Sequence, residues 1–182
     1  VRVRRGHGIR RGLASDQLGL LIAIAVLSVA ISQQTPYFFD QTNFSNIGVA
    51  ISYIGIITAG FTLVMIAGGI DLSVGAVAAL AGQVFAYTLN NGTSVLLAVA
   101  LAIAAGAACG LFNALLMVVV GINAIVGTIA TQFLFRGLAY TFGGGGAAST
   151  AIADTTISDL ANGKWLGVPV PTYLMCAVFL AV

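Results

Sequence analysis

The sequence predicts an all-α fold: a polytopic bundle of transmembrane helices, about five full spans plus the start of a sixth. Three observations predict it. Of 182 residues, 59% are hydrophobic and only 7% are charged, and the mean hydropathy is +1.07. Soluble domains carry roughly a quarter charged residues, so this chain lacks the polar side chains to cover a water-facing surface. Apolar runs of about twenty residues, the length that crosses hydrocarbon, follow one another between short polar breaks. Small side chains abound, with 23 glycines, which suits helices packed backbone to backbone in lipid.

The elements follow in order. Residues 1–16 read as a basic cytoplasmic tail and residues 17–182 as the membrane domain. Arg2, Arg4, Arg5, Arg10 and Arg11 are five of the seven basic residues, and all precede the first apolar run. Positive charge beside a first span marks the cytoplasmic side, so the N-terminus belongs inside. No aromatic or folded surface accompanies the cluster, so no nucleic-acid partner is expected. A signal peptide also begins with basic residues, but no small-residue cleavage site follows 18–31, which favours a retained helix. The first span covers 17–34 and stops at Pro36 and the interfacial aromatics Tyr37, Phe38 and Phe39. After the polar stretch Asp40-Gln41-Thr42-Asn43, the second covers 47–67 and is interrupted by Gly68-Gly69. The third covers 72–89 and stops at the turn signal Asn90-Asn91-Gly92. The fourth runs over 95–120 and the fifth over 123–142, stopped by the glycines at 143–146. A polar segment over 147–167 holds Asp154, Asp159, Lys164 and Trp165. Pro169 and Pro171 introduce a last apolar run, 173–182. At ten residues it is half a span, so the chain is expected to be the N-terminal fragment of a longer protein. From a cytoplasmic N-terminus, the segments near Asp40, near Asn91 and over 147–167 lie outside. Those near Gly69 and Gly121 lie inside or partly within the membrane.

Two helices carry packing patterns. Ala98, Ala102, Gly106, Gly110 and Ala114 recur every four residues along the fourth span and predict a ridge that another backbone approaches closely. Ala78, Gly82 and Ala86 do the same on the third. Cys109 and Cys176 sit singly in apolar runs and read as small membrane-compatible side chains.

Asp71 stands out as the only acidic residue between Asp40 and Asp154. A carboxylate at membrane depth is costly and faces a water-filled path or a partner. The structural alternative is a helix cap, with Asp71 taking the backbone N–H of Ser73 or Val74 while Gly68 and Gly69 break the preceding helix. The two readings are compatible, because irregular backbone survives in a membrane only where protein or a cavity satisfies it. Gly68, Gly69, Asp71, Ser73 and Gly75 are therefore the candidates for the helix break or the translocation path. Weaker polar candidates in or beside spans are Gln83, Asn113, Asn123 and Gln132, which interhelical hydrogen bonds explain as well as a solute path does. Arg136, late in the fifth span, either snorkels to the interface or lines a pore as a buried cation.

Enzyme chemistry has no footing here. No G-x-x-x-x-G-K-[ST] phosphate loop exists, and the only lysine is Lys164. No metal-ligand spacing, His cluster or G-x-S-x-G elbow appears, and His7 lies in the basic tail. No metal and no cofactor is expected on this chain.

The segment Gly68-Gly69-Ile70-Asp71-Leu72-Ser73-Val74-Gly75 resembles the permease family of ribose, xylose and galactose type bacterial ABC importers, which belongs with the branched-chain amino acid permeases. Phe61-Thr62-Leu63-Val64-Met65, Phe135-Arg136-Gly137 and Leu166-Gly167-Val168-Pro169-Val170-Pro171 agree in order and spacing, and the resemblance covers about 36–182. It implies a permease subunit of about ten helices in the inner membrane that pairs with a second copy or a related permease. It also implies a separate ATPase subunit holding ATP and Mg, and a periplasmic sugar-binding protein that delivers substrate. The docking segment for the ATPase would follow the sixth span, so a chain ending at Val182 is not expected to couple to ATP. In such importers specificity resides largely in the binding protein, so Asp71, Ser73 and their glycines would shape the path. The alternatives are a branched-chain amino acid permease, an ion-coupled secondary carrier with Asp71 as its coupling site, and a structural subunit.

Overall fold

The computed structural model describes residues 7–144, 151–152 and 154–182. It forms two units, residues 1–47 and 48–182. In the first, helix α1 (His7–Ser32) starts ten residues ahead of the expected apolar run. Turns over 33–40 carry the three aromatics into α2 (Gln41–Ile66), which begins six residues before the expected 47. The physical reason is local hydrogen bonding. The Phe44 N–H donates to the Asp40 carbonyl (3.2 Å), Asn43 Nδ2 to the Phe38 carbonyl (2.8 Å) and Ser45 Oγ to the Gln41 carbonyl (2.8 Å). The polar stretch is thus the first turn of the helix, where polar side chains satisfy groups that lack helical partners. Beside it Phe38 meets Phe39 edge to face at 5.0 Å, and Phe39 stacks on Phe44 at 6.3 Å.

The second unit holds the core. Helices α3 (Val74–Asn90), α4 (Val95–Val118) and α5 (Ala124–Phe142) pack together, with α3 against both of the others. Ala76 and Leu80 of α3, Cys109 of α4, and Phe135 and Ala139 of α5 are buried at their contact. Phe112 meets Phe135 edge to face at 6.2 Å. The every-four ridge of α4 enters this contact only in part. Ala98 is fully buried and Ala102 and Gly106 are half-buried, whereas Gly110 and Ala114 are exposed. Four residues turn a helix by about 400°, so such a ridge drifts about 40° per step. The buried line passes to Cys109 and Asn113 instead.

The polar segment after α5 has structure that composition does not announce. Helix α6 (Thr155–Asn162) is capped by Asp154, whose carboxylate accepts from the Ile157 N–H at 3.1 Å. Strands β1 (Lys164–Trp165) and β2 (Val168–Pro169) pair antiparallel. Leu166 (φ 51) and Gly167 (φ 80) between them are both left-handed, as a two-residue hairpin turn of the primed kind requires. Helix α7 (Val170–Ala181) begins three residues before the expected 173, with Pro171 in its first turn, where proline's missing N–H costs nothing. Tyr173 ties it to the hairpin, its hydroxyl donating to the Trp165 carbonyl at 2.8 Å. Helix α7 also packs on α2. Ser52 Oγ donates to the Gly48 carbonyl (2.6 Å) and lies 3.0 Å from Thr172 Oγ1, while Gly55 faces the Met175 side chain.

Helices α2 and α4 are long and apolar enough to cross a membrane. Most of their side chains are not sheltered by protein: Leu96 and Val118 at the two ends of α4 are each 82% exposed. Such surfaces need lipid or protein as their solvent.

Candidate functional site

The site is built from the break between α2 and α3. Gly68 takes φ +84, a conformation that favours glycine. Its N–H donates to the Met65 carbonyl and that of Gly69 to the Val64 carbonyl, both at 3.0 Å. This pair of bonds is a Schellman motif and ends α2 with its carbonyls satisfied. Four residues later a new helix begins. The Asp71 carboxylate sets its direction, because Oδ1 accepts from both the Ser73 N–H (2.8 Å) and the Ser73 hydroxyl (2.7 Å). The first helical bond of α3 runs from the Val77 N–H to the Ser73 carbonyl at 2.9 Å. Ser73 therefore occupies the N-cap position, and Asp71 acts two residues ahead of it as an Asx turn.

Tertiary structure joins this turn to the other two core helices. Asn113 Nδ2 of α4 donates to Ser73 Oγ at 2.8 Å. The Leu72 N–H donates to Thr128 Oγ1 of α5 at 3.2 Å, and that hydroxyl donates to the Ala124 carbonyl at 2.8 Å. Ser73 and Thr128 are wholly buried, and Asn113 and Thr131 are 3% exposed. Proton accounting makes the network directional. A carboxylate only accepts, so the Ser73 proton goes to Asp71 and the Ser73 oxygen must accept from the Asn113 amide. Asn113 Oδ1 is then left as a buried acceptor without a partner among the described residues. The start of α3, the end of α4 and the start of α5 are thereby pinned by a polar node in an otherwise apolar bundle. Each group in it would be costly to bury alone.

The remaining sequence candidates are placed elsewhere. Gly75 lies exposed inside the first turn of α3, beyond the break. Asn123 caps α5, accepting from the Ile125 and Val126 N–H groups at 3.0 and 3.5 Å, which is a local structural role. Gln132 is half-buried on α5, and Arg136 is exposed on the same helix. Thr128 contacts the break, and Arg136 lies eight residues further along α5, about 12 Å at 1.5 Å per residue. No ion pair forms between Arg136 and Asp71. Thr128 itself was not foreseen, because a threonine bonded to the carbonyl four residues back looks self-sufficient in sequence.

Two clefts separate α2 from α3. The wider, about 600 Å³, lies between Tyr53 and the small residues Ala78, Gly82 and Ala86, with Gln83 at its side. The α3 ridge of small residues thus borders this open crevice. The narrower, about 210 Å³, is lined by Ile57, Thr58 and Phe61 of α2 and by Asp71, Leu72 and Val74. Among the described residues no three His, Cys, Asp or Glu side chains group as metal ligands. The node offers buried hydrogen bonds that join the start of α3 to α4 and α5.

Comparison with known proteins identifies the family. The family described as branched-chain amino acid transport system / permease component matches residues 43–182. The ribose import permease protein RbsC of Escherichia coli is 36% identical over 165 residues, 88% of this chain and 51% of that protein. The L-arabinose transport system permease protein AraH of the same organism is 35% identical over 162 residues, 89% of this chain and 49% of that protein. The autoinducer 2 import system permease protein LsrD of Salmonella paratyphi B is 34% identical over 132 residues, 69% and 40% respectively. The chain spans about half the length of the curated relatives it matches. No solved structure matches it.

Proposed function

The chain belongs to the branched-chain amino acid transport system / permease component family, and from that premise we propose that it is membrane-embedded permease sequence of an ATP-driven monosaccharide importer. The observation that carries this reading is the match to permeases named for ribose and arabinose over 88% and 89% of the chain. The apolar, lipid-facing helices and the polar node at the α2–α3 break support it. Helices α1 to α5 cross the bacterial inner membrane and α7 enters it again. The five N-terminal arginines hold the N-terminus in the cytoplasm. In this arrangement the Asp71 node lies at the cytoplasmic end of α3 and the α6–hairpin segment lies outside. ATP and Mg are held by a separate ATPase subunit, sugar arrives on a periplasmic binding protein, and a second permease copy completes the pathway.

Uptake of labelled ribose, arabinose, xylose and galactose into vesicles tests this. The vesicles carry the full-length gene product with its neighbouring ATPase and binding protein. Uptake is expected to require ATP and the binding protein and to survive collapse of the proton gradient. Uptake lost with the proton gradient and indifferent to ATP would make the protein an ion-coupled carrier. Competition by leucine in place of sugars would move it to the amino acid branch.

A further inference from the structure

The narrow cleft beside Asp71 has the chemistry of a sugar-binding subsite. Asp71 uses one carboxylate oxygen, Oδ1, for both bonds to Ser73. Oδ2 has no partner among the described residues, and the half-buried side chain lines the cleft. Thr58 lines the opposite wall, and its hydroxyl donates back to the Ile54 carbonyl at 2.7 Å. With its proton committed, that oxygen also presents lone pairs. Phe61, one turn further along α2, adds an aromatic face. The cleft therefore offers two acceptors, one of them charged, and one π surface, and no cation among its lining residues. That set fits a ligand rich in hydroxyl donors with an apolar C–H face, and it disfavours a carboxylate or phosphate. Its volume of about 210 Å³ lies below the range of about 300–1,000 Å³ that drug-sized ligands occupy, a scale suited to one sugar ring.

We propose that Thr58, Phe61 and Asp71 form a transient monosaccharide subsite at the α2–α3 break, with Asp71 Oδ2 accepting from sugar hydroxyls and Phe61 stacking on the ring. The inference rests on the importer reading above and adds to it where the sugar pauses. Position in the fold supports it. Tyr53, Ile57 and Phe61 recur every four residues along α2, and Val74, Ala78, Gly82 and Ala86 do so along α3. Both rows border the same pair of clefts. The row of small side chains on α3 and the aromatics Tyr53 and Phe61 of α2 thus line successive clefts along the same pair of helices.

The test is the number of sugars moved per ATP hydrolysed, measured in proteoliposomes with the full-length gene product, ATPase and binding protein, using ribose and arabinose as probes. Asp71→Asn keeps an Oδ1 that accepts from Ser73 and replaces only the unpaired acceptor by a donor. Phe61→Leu removes the ring, and Thr58→Val removes the hydroxyl at constant shape. Each is expected to lower the sugar-to-ATP ratio, and with it the uptake kcat, about tenfold, as loss of one good contact predicts. KM, set by capture on the binding protein, is expected to change little. Phe133→Leu, an exposed aromatic on α5, is the control and should behave as the unsubstituted protein. A merely structural role would lower ATP turnover and transport together and leave the ratio intact. An unchanged ratio in Phe61→Leu and Thr58→Val overturns the subsite, even where Asp71→Asn fails to fold. If the unsubstituted protein shows no ATP-dependent sugar uptake, the importer reading itself has failed, and the subsite with it.

Discussion

Ser73→Ala is expected to destabilise the helical bundle by about 2 kcal/mol, although the substitution removes a single oxygen. That oxygen is wholly buried and serves two partners, donating to the Asp71 carboxylate and accepting from Asn113. Without it the Asn113 amide joins its own Oδ1 as a second buried group without a partner among the described residues. The bond to Asp71 is charge-assisted and accounts for the larger share. Because hydrogen bonds within membranes often measure below 1 kcal/mol, the coupling is the sharper observable. The double variant Ser73→Ala/Asn113→Ala should cost at least 1 kcal/mol less than the sum of the single losses, read from unfolding midpoints in an SDS titration. Additive losses would show that the three helices are not joined through this pair.

The second large effect is steric. Gly55 of α2 lies directly under Met175 of α7: a Cβ built there would approach the Met175 sulfur closely and its Cγ at 2.9 Å, with Phe179 Cε2 at 3.5 Å. A methionine is unbranched and can swing aside, so Gly55→Ala should cost less than 1 kcal/mol. Gly55→Leu leaves no such escape and is expected to cost about 2–3 kcal/mol by forcing α7 away. Displacing α7 also separates Ser52 from Thr172 one turn away. The same SDS titration reads the loss, and Met175→Ala in the Gly55→Leu background should restore at least half of it by vacating the space. Failure of that rescue would place the Gly55 effect in α2 itself instead of in the α2–α7 contact.

Residue type and order alone settled much about this protein. Hydrocarbon admits only long apolar helices with internally satisfied backbones, so the runs of apolar residues place α3, α4 and α5 and the end of α2 within a few residues of their observed limits. Gly68-Gly69 forces a break, and Asp71 is the acceptor that restarts the chain, both from local rules of glycine conformation and Asx turns. Local capping was harder to see. The polar stretch at Asp40 joined α2, and the segment after α5 contained α6 and a hairpin, because polar residues that look like loop can instead satisfy helix ends. What only the tertiary structure decided is which residues meet. Ser73 and Asn113 are 40 residues apart, Leu72 and Thr128 are 56 apart, and Ser52 and Thr172 are 120 apart. In water an amphipathic stripe would have marked the inward faces of these helices. In lipid the outer face is as apolar as the core, so periodicity loses its contrast and packing shape and buried hydrogen bonds choose the partners.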